Sequence, residues 1–131
     1  MTPTILYIED HPDNMTLVRR VIQSQSYTLI EAKTGLQGII IAENQDVDVI
    51  LLDINLPDID GYEVARRLRT SKKAALAYVP IVAVTANAMK GDAEKAFAAG
   101  CNLHMTKPIN IQGLLDTVER LIRKELRGIH L

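Results

Sequence analysis

Val47-Asp48-Val49-Ile50-Leu51-Leu52-Asp53-Ile54-Asn55-Leu56-Pro57-Asp58-Ile59-Asp60-Gly61 runs from an apolar segment, Val49 to Leu52, straight onto one carboxylate, Asp53. Such an uninterrupted apolar run suits a strand buried on both faces, as in a parallel sheet. The loop that follows carries Pro57 and Gly61 and then re-enters a helical pattern. An acid at the carboxyl end of such a strand points into the crevice where open α/β sheets bind ligands.

On the amino-terminal side, Thr4-Ile5-Leu6-Tyr7-Ile8 reads as a buried strand that stops on Glu9 and Asp10. Pro12, Asp13 and Asn14 are helix-start chemistry, and Met15, Val18 and Ile22 recur at helical spacing to about Ser24. Tyr27 to Ala32 is more mixed and predicts a strand nearer a sheet edge. Thr34 can cap a helix from Gly35 to about Asn44, a helix that Gly35 and Gly38 weaken locally. The third strand is expected over Val47 to Asp53.

Beyond it, Tyr62, Ala65 and Leu68 mark a helix that fades near Thr70-Ser71, with an irregular turn over Lys72 to Tyr78. Pro80 introduces a strand from Ile81 to Thr85. Asp92 is expected to cap a helix through Ala99, which Gly100 stops. Leu103 to Thr106 predicts a fifth strand, closed by Lys107-Pro108. Ile111, Leu114, Val118 and Leu121 carry a last amphipathic helix to about Leu126. Five βα units imply a parallel sheet covered on both faces and joined by right-handed crossovers. The predicted fold class is α/β, a doubly wound five-stranded parallel sheet in the order 2-1-3-4-5 with five helices.

The chain of 131 residues suits one domain, expected over residues 1–126 with a short tail over 127–131. A net charge of −1 argues against nucleic acid or a membrane surface as an electrostatic partner. No segment has the pattern of a signal peptide, and no apolar run approaches the roughly 20 residues needed to span a bilayer. The single Cys101 has no internal partner, which fits a reducing cytoplasm, and it reads as a small buried hydrophobe.

The polar outliers share one sheet edge. Glu9 and Asp10 end the first strand, Asp53 the third, Thr85 the fourth and Lys107 the fifth. Acids gathered in one crevice repel each other unless a cation sits among them. Carboxylate and carbonyl oxygens suit a hard ion, and Mg²⁺ is the one expected. Lys107 adds a point positive charge and Thr85 a hydroxyl, so the group suits an anion of phosphate size beside Asp53. A carboxylate free on one oxygen can then act as a nucleophile toward phosphorus.

Ile8-Glu9-Asp10, Leu52-Asp53-Ile54-Asn55-Leu56-Pro57 with Asp60-Gly61, Val84-Thr85-Ala86-Asn87 and Lys107-Pro108 occur in a familiar order and spacing. In these features the chain, from about Thr4 to Leu126, resembles the receiver domain of two-component response regulators, a CheY-like family with a flavodoxin-like fold. The resemblance implies that Asp53 accepts phosphate from a sensor histidine kinase or a histidine phosphotransfer protein. It also implies that Glu9, Asp10, Asp53 and the main-chain carbonyl of Asn55 surround Mg²⁺. Thr85 and Lys107 would contact the phosphoryl group, and the peptide before Pro108 is expected to be cis. Such a domain is a phosphoacceptor rather than an enzyme acting on other molecules, and it signals by binding a downstream protein target as a monomer or weak dimer.

Asn55 and Asn87 resemble the variable positions that set aspartyl-phosphate lifetime, and Ala86 keeps access open. His104 departs from the family, which usually carries Tyr or Phe there as a switch residue, and an exposed strand histidine is the plain alternative. The reporting face is expected around the helix from Asp92, the fifth strand and the last helix, with Lys90, Lys95, Arg120 and Lys124 as exposed candidates. A stand-alone switch is expected because few residues follow Leu126. The alternative is a phosphorelay intermediate or a receiver excised from a hybrid histidine kinase. A small-molecule phosphatase would want an acid where Asn55 stands.

Overall fold

Alternation along each strand sends its side chains to opposite faces of the sheet, and here both faces are apolar. The computed structural model describes residues 2–86 and 91–123. Asn87, Met89, Lys90, Lys124, the expected helix end at Leu126 and the tail 127–131 lie outside the described residues. In chain order the elements are β1 (Thr4–Ile8), α1 (Pro12–Ser24), β2 (Thr28–Ala32), α2 (Gly35–Asn44), β3 (Val49–Asp53) and α3 (Gly61–Arg69). They continue as a 3-10 turn (Ala74–Ala77), β4 (Ile81–Thr85), α4 (Asp92–Ala99), β5 (Leu103–Thr106) and α5 (Ile111–Ile122). All strand pairs are parallel, in the order β2-β1-β3-β4-β5. No helix among the described residues is long and apolar enough to cross a membrane.

Leu6, Ile8, Ile50, Leu52, Ile81 and Ala83 go to one face, where α2, α3 and α4 cover them with Ile39, Val64, Leu68 and Ala96. Ile5, Tyr7, Val49, Leu51 and Val82 go to the other, beneath Val18 and Ile22 of α1 and Leu114 and Val118 of α5. Every residue of β3 is buried, Asp53 included, as its unbroken apolar run requires. Cys101 is free and buried, and burial pushes its thiol up to about 12.

Helix starts agree with the sequence at Thr34, whose Oγ1 accepts the Gln37 N–H at 3.1 Å. The start of α4 differs. Gly91 at φ +97° occupies the cap, and Asp92 is the first helical residue, with its Oδ2 buried and without a partner among the described residues. A left-handed backbone there suits glycine, and it displaces the acid by one position. β2 and β3 begin at Thr28 and Val49, later than the apolar pattern, and their ladders with β1 start opposite Thr4 and Ile5. Gly35 and Gly38, expected to weaken α2, instead let it approach its neighbours. A Cβ on Gly35 would sit 2.7 Å from Val64 Cγ2, and one on Gly38 would overlap Ile8.

The helices are tied down at the sheet edge opposite the acids. Arg69 donates to the carbonyls of Gly100 and Leu76, both at 2.9 Å, and to Asn102 Oδ1 at 2.8 Å. Lys73 Nζ donates to the carbonyls of Ala42 at 2.9 Å and Gln45 at 2.8 Å. Cations on carbonyls at helix carboxyl ends are favourable for the macrodipole and satisfy groups the helix leaves open. The anchoring chemistry therefore sits at one edge and leaves the other to the acids.

Candidate functional site

Glu9 extends β1 by one residue, since its N–H donates to the Ala32 carbonyl at 2.9 Å. It is buried, whereas Asp10 is exposed. Asp53 closes β3, held by the Ile54 N–H on the Val84 carbonyl at 3.0 Å. The three carboxylates place an oxygen each within 4.8 Å of one another. At an effective dielectric of about 20, two charges that close repel by about 3 kcal/mol or more. That is a large fraction of a small domain's net stability, so the cluster needs compensation.

Part of it comes from Lys107. Its Nζ lies 3.2 Å from Glu9 Oε1 and 3.3 Å from Asp53 Oδ2, and its N–H donates to the Thr85 carbonyl at 2.7 Å. The rest falls on Glu9. Burial first, and then the hydrogen-bonded Asp53 carboxyl, push its acid from 4.5 up to about 7, against the pull of Asn14 and Lys107. Asp53 Oδ1 accepts the Asn55 N–H at 3.0 Å, which sets the carboxylate rotamer. Thr85 is buried at the end of the adjacent strand. The Lys107-Pro108 peptide is cis, as expected.

Two further groups lie beside these acids, and of the two only Asn14 carried a site role in the sequence, as the lesser alternative to helix-start polarity. Asn14, read above as helix-start polarity, donates its Nδ2 to Glu9 Oε1 at 2.5 Å. Tyr7 is fully buried, its hydroxyl has no partner among the described residues, and burial with the nearby Glu9 and Asp53 charges holds it neutral. The only sequence signal for either was position, Asn14 one helical turn beyond Asp10 and Tyr7 two residues before Glu9. His104 sits opposite Ala83 in the β4–β5 register, partly buried, with Nε2 buried and without a partner among the described residues. Its ring is partly buried where the plain alternative expected an exposed strand histidine.

A doubly wound sheet with an acidic crevice at the carboxyl ends of its two central strands defines a class, and comparison with known proteins agrees. The family model for the response regulator receiver domain matches residues 5–119, and the chain belongs to that family. The polar-differentiation response regulator DivK of Brucella ovis is 36% identical over 119 residues, covering 91% of this chain and 95% of DivK. Among solved structures, the receiver domain of sensor histidine kinase PA1611 from Pseudomonas aeruginosa PAO1 is 36% identical with a TM-score of 0.85, covering 94% of this chain and 99% of that one. That structure holds a magnesium ion coordinated in its active-site cleft. The co-crystal structure of the Saccharomyces cerevisiae phosphotransfer protein Ypd1 with the receiver domain of its downstream response regulator Ssk1 matches at 25% identity and a TM-score of 0.85, over 97% and 93% of the two chains. The chemotaxis protein CheY4 of Vibrio cholerae, 24% identical with a TM-score of 0.86 over 92% and 99%, shares the fold.

Proposed function

We propose that Asp53 accepts a phosphoryl group from a sensor histidine kinase or a histidine phosphotransfer protein, with Mg²⁺, and that phosphorylation changes binding to a downstream protein target. One observation carries this reading: a buried carboxylate at the end of a central strand, 3.3 Å from Lys107 and within a triad of acids. The working unit would span residues 1–126 in the cytoplasm, as a monomer or weak dimer, with neither nucleic acid nor membrane as partner.

The donor set fits a hard divalent ion, since three clustered carboxylates leave a buried acid, Glu9, pushed toward its neutral form. Glu9, Asp10, Asp53 and the Asn55 carbonyl would hold it. When bound, Mg²⁺ neutralises the acids and the charge that builds on the phosphoryl oxygens. Asp53 supplies the attacking oxygen. Its new bond to phosphorus forms as the bond to the donor's nitrogen or oxygen breaks, and that leaving atom keeps the electron pair. Lys107 would be drawn from Glu9 and Asp53 to the phosphoryl oxygens, and Thr85 would donate its hydroxyl to another. This differential contact can shift a two-state equilibrium near β4 and β5. The test is incubation with acetyl phosphate and Mg²⁺ followed by intact-mass measurement, with a gain of one phosphoryl group expected and no gain counting against the reading.

Lys107→Ala separates the chemistry from the switch. Phosphoryl uptake should persist, while the amide NMR shifts of β5 and α5 that move in the wild type should stay in place. Shifts that move as in the wild type would remove Lys107 from the switch.

The raised Glu9 acid gives a pH dependence with a definite sign. Between 4.5 and about 7 the folded, metal-free protein binds more protons than the unfolded chain, so this contribution to stability is lost as pH rises through that window. Mg²⁺ takes the deprotonated form, so the rise in Tm produced by saturating Mg²⁺ should grow with pH up to about 7 and then level off. Thermal melts with Mg²⁺ and with EDTA across that range check both signs, and a Tm gain independent of pH would contradict them.

A relay role has its own support, because the receiver of a sensor kinase matches as well, at 36%, as DivK does. Rapid transfer of phosphate from Asp53 to a histidine phosphotransfer protein would favour the relay. A phosphorylated form that survives such mixing would favour the terminal switch.

A further inference from the structure

Glu9 has its donors crowded on one oxygen. Asn14 Nδ2 donates to Oε1 at 2.5 Å, and Lys107 Nζ lies 3.2 Å from that same Oε1 but 3.5 Å from Oε2. The Glu9 side chain is wholly buried, so water does not orient it. Lys107 is shared with Asp53, and in the phosphoacceptor reading it leaves for the phosphoryl oxygens. Once it leaves, Asn14 is the one nitrogen donor remaining on Glu9 among the described residues, beside the neighbouring Asp53 carboxyl.

We infer that Asn14 is a positioning residue for the metal site: its amide pins Oε1 of Glu9, which leaves Oε2 for the divalent cation and keeps that pose when Lys107 moves. The inference rests on the proposed function above and adds to it a residue whose part would be to orient a ligand. Groups that hydrogen-bond a metal ligand typically change metal affinity about 10–100-fold when removed.

The residue type fits this duty better than a helix duty. Asn14 is the third residue of α1, where an acid would suit the helix dipole and where Asn has poor intrinsic propensity. An aspartate there would add a fourth carboxylate beside Glu9, whereas the amide supplies a donor with no charge. The first turn places that donor firmly. The Met15 N–H closes on the His11 carbonyl at 3.0 Å, and Met15 is buried in the same core cluster as Tyr7.

The experiment is calorimetric Mg²⁺ titration of the unphosphorylated full chain, wild type against Asn14→Ala and Asn14→Gln, with Tm measured in EDTA. Asn14→Ala should weaken Mg²⁺ binding about tenfold. It should keep the wild-type Tm in EDTA within a few degrees, since alanine favours the helix as the hydrogen bond is lost. Acetyl-phosphate uptake should fall at limiting Mg²⁺ and return to the wild-type maximum at saturating Mg²⁺. Asn14→Gln, which keeps the amide, should recover part of the affinity. A well-folded Asn14→Ala with Mg²⁺ affinity within twofold of wild type would overturn the inference. So would an Asn14→Gln that binds no better than Asn14→Ala. Wild-type protein that takes up no Mg²⁺ would overturn the metal reading itself, a distinct result because it appears before any variant is compared.

Discussion

Asp53→Ala is expected to reduce phosphoryl uptake from acetyl phosphate to background while leaving the fold intact. No other described carboxylate has the same placement. Glu9 is buried but bound by Asn14 and Lys107, and Asp10 is exposed outside the strand. The substitution should not cost much stability without metal, because it removes one member of a mutually repelling group. Lys107 keeps its contact with Glu9 at 3.2 Å, and the Asn55 N–H that served Asp53 lies on an exposed residue that water can reach. Glu9 should also titrate lower, since the Asp53 carboxyl is one of the causes that raise it. Intact mass reads the first effect and thermal melts in EDTA the second. Uptake that survives in Asp53→Ala would place the acceptor elsewhere and end the central claim.

Gly61→Ala is expected to be the most damaging small substitution near the site. Gly61 opens α3 immediately after the loop that follows Asp53, and its N–H donates to the Ile54 carbonyl at 2.8 Å. A Cβ there would lie 2.6 Å from both the Asp53 carbonyl oxygen and Ile54 Cα. These are backbone atoms of the strand end, so no side-chain rotation relieves the overlap. Alanine gains at most about 1 kcal/mol of helix propensity over glycine. Overpacking against a fixed backbone costs about 3 kcal/mol, so sterics should win. The denaturation midpoint should fall, and the phosphorylation rate should fall with it because the shifted atoms belong to Asp53 and its neighbour. A variant as stable and as reactive as wild type would show that the loop yields freely.

The order of elements was legible because it rests on local signals. Apolar runs ending on Asp10, Asp53, Thr85 and Lys107 mark strand ends in a parallel sheet, whichever helix covers them. The order 2-1-3-4-5 is the common doubly wound arrangement of five such units, and with parallel strands it brings Glu9, Asp10, Asp53 and Lys107 to one crevice. Boundaries were softer. Val47 and Tyr27 are apolar enough to extend a strand, but a ladder starts only where its neighbour offers a partner.

By itself the sequence determined the parallel α/β sheet, the residues at its carboxyl edge and the receiver family, since strand length, breakers and motif spacing are carried by near neighbours along the chain. Only the tertiary structure decided which acid is buried, with Glu9 inside and Asp10 outside. It alone joined Asn14 to Glu9, set the Tyr7 hydroxyl beneath the acids, brought Gly61 against the Asp53 backbone and laid Arg69 across the carbonyls of Leu76 and Gly100. Each of these depends on distances between residues on different elements. Such distances are set by how the helices pack on the sheet, which no local pattern of hydrophobicity or propensity encodes.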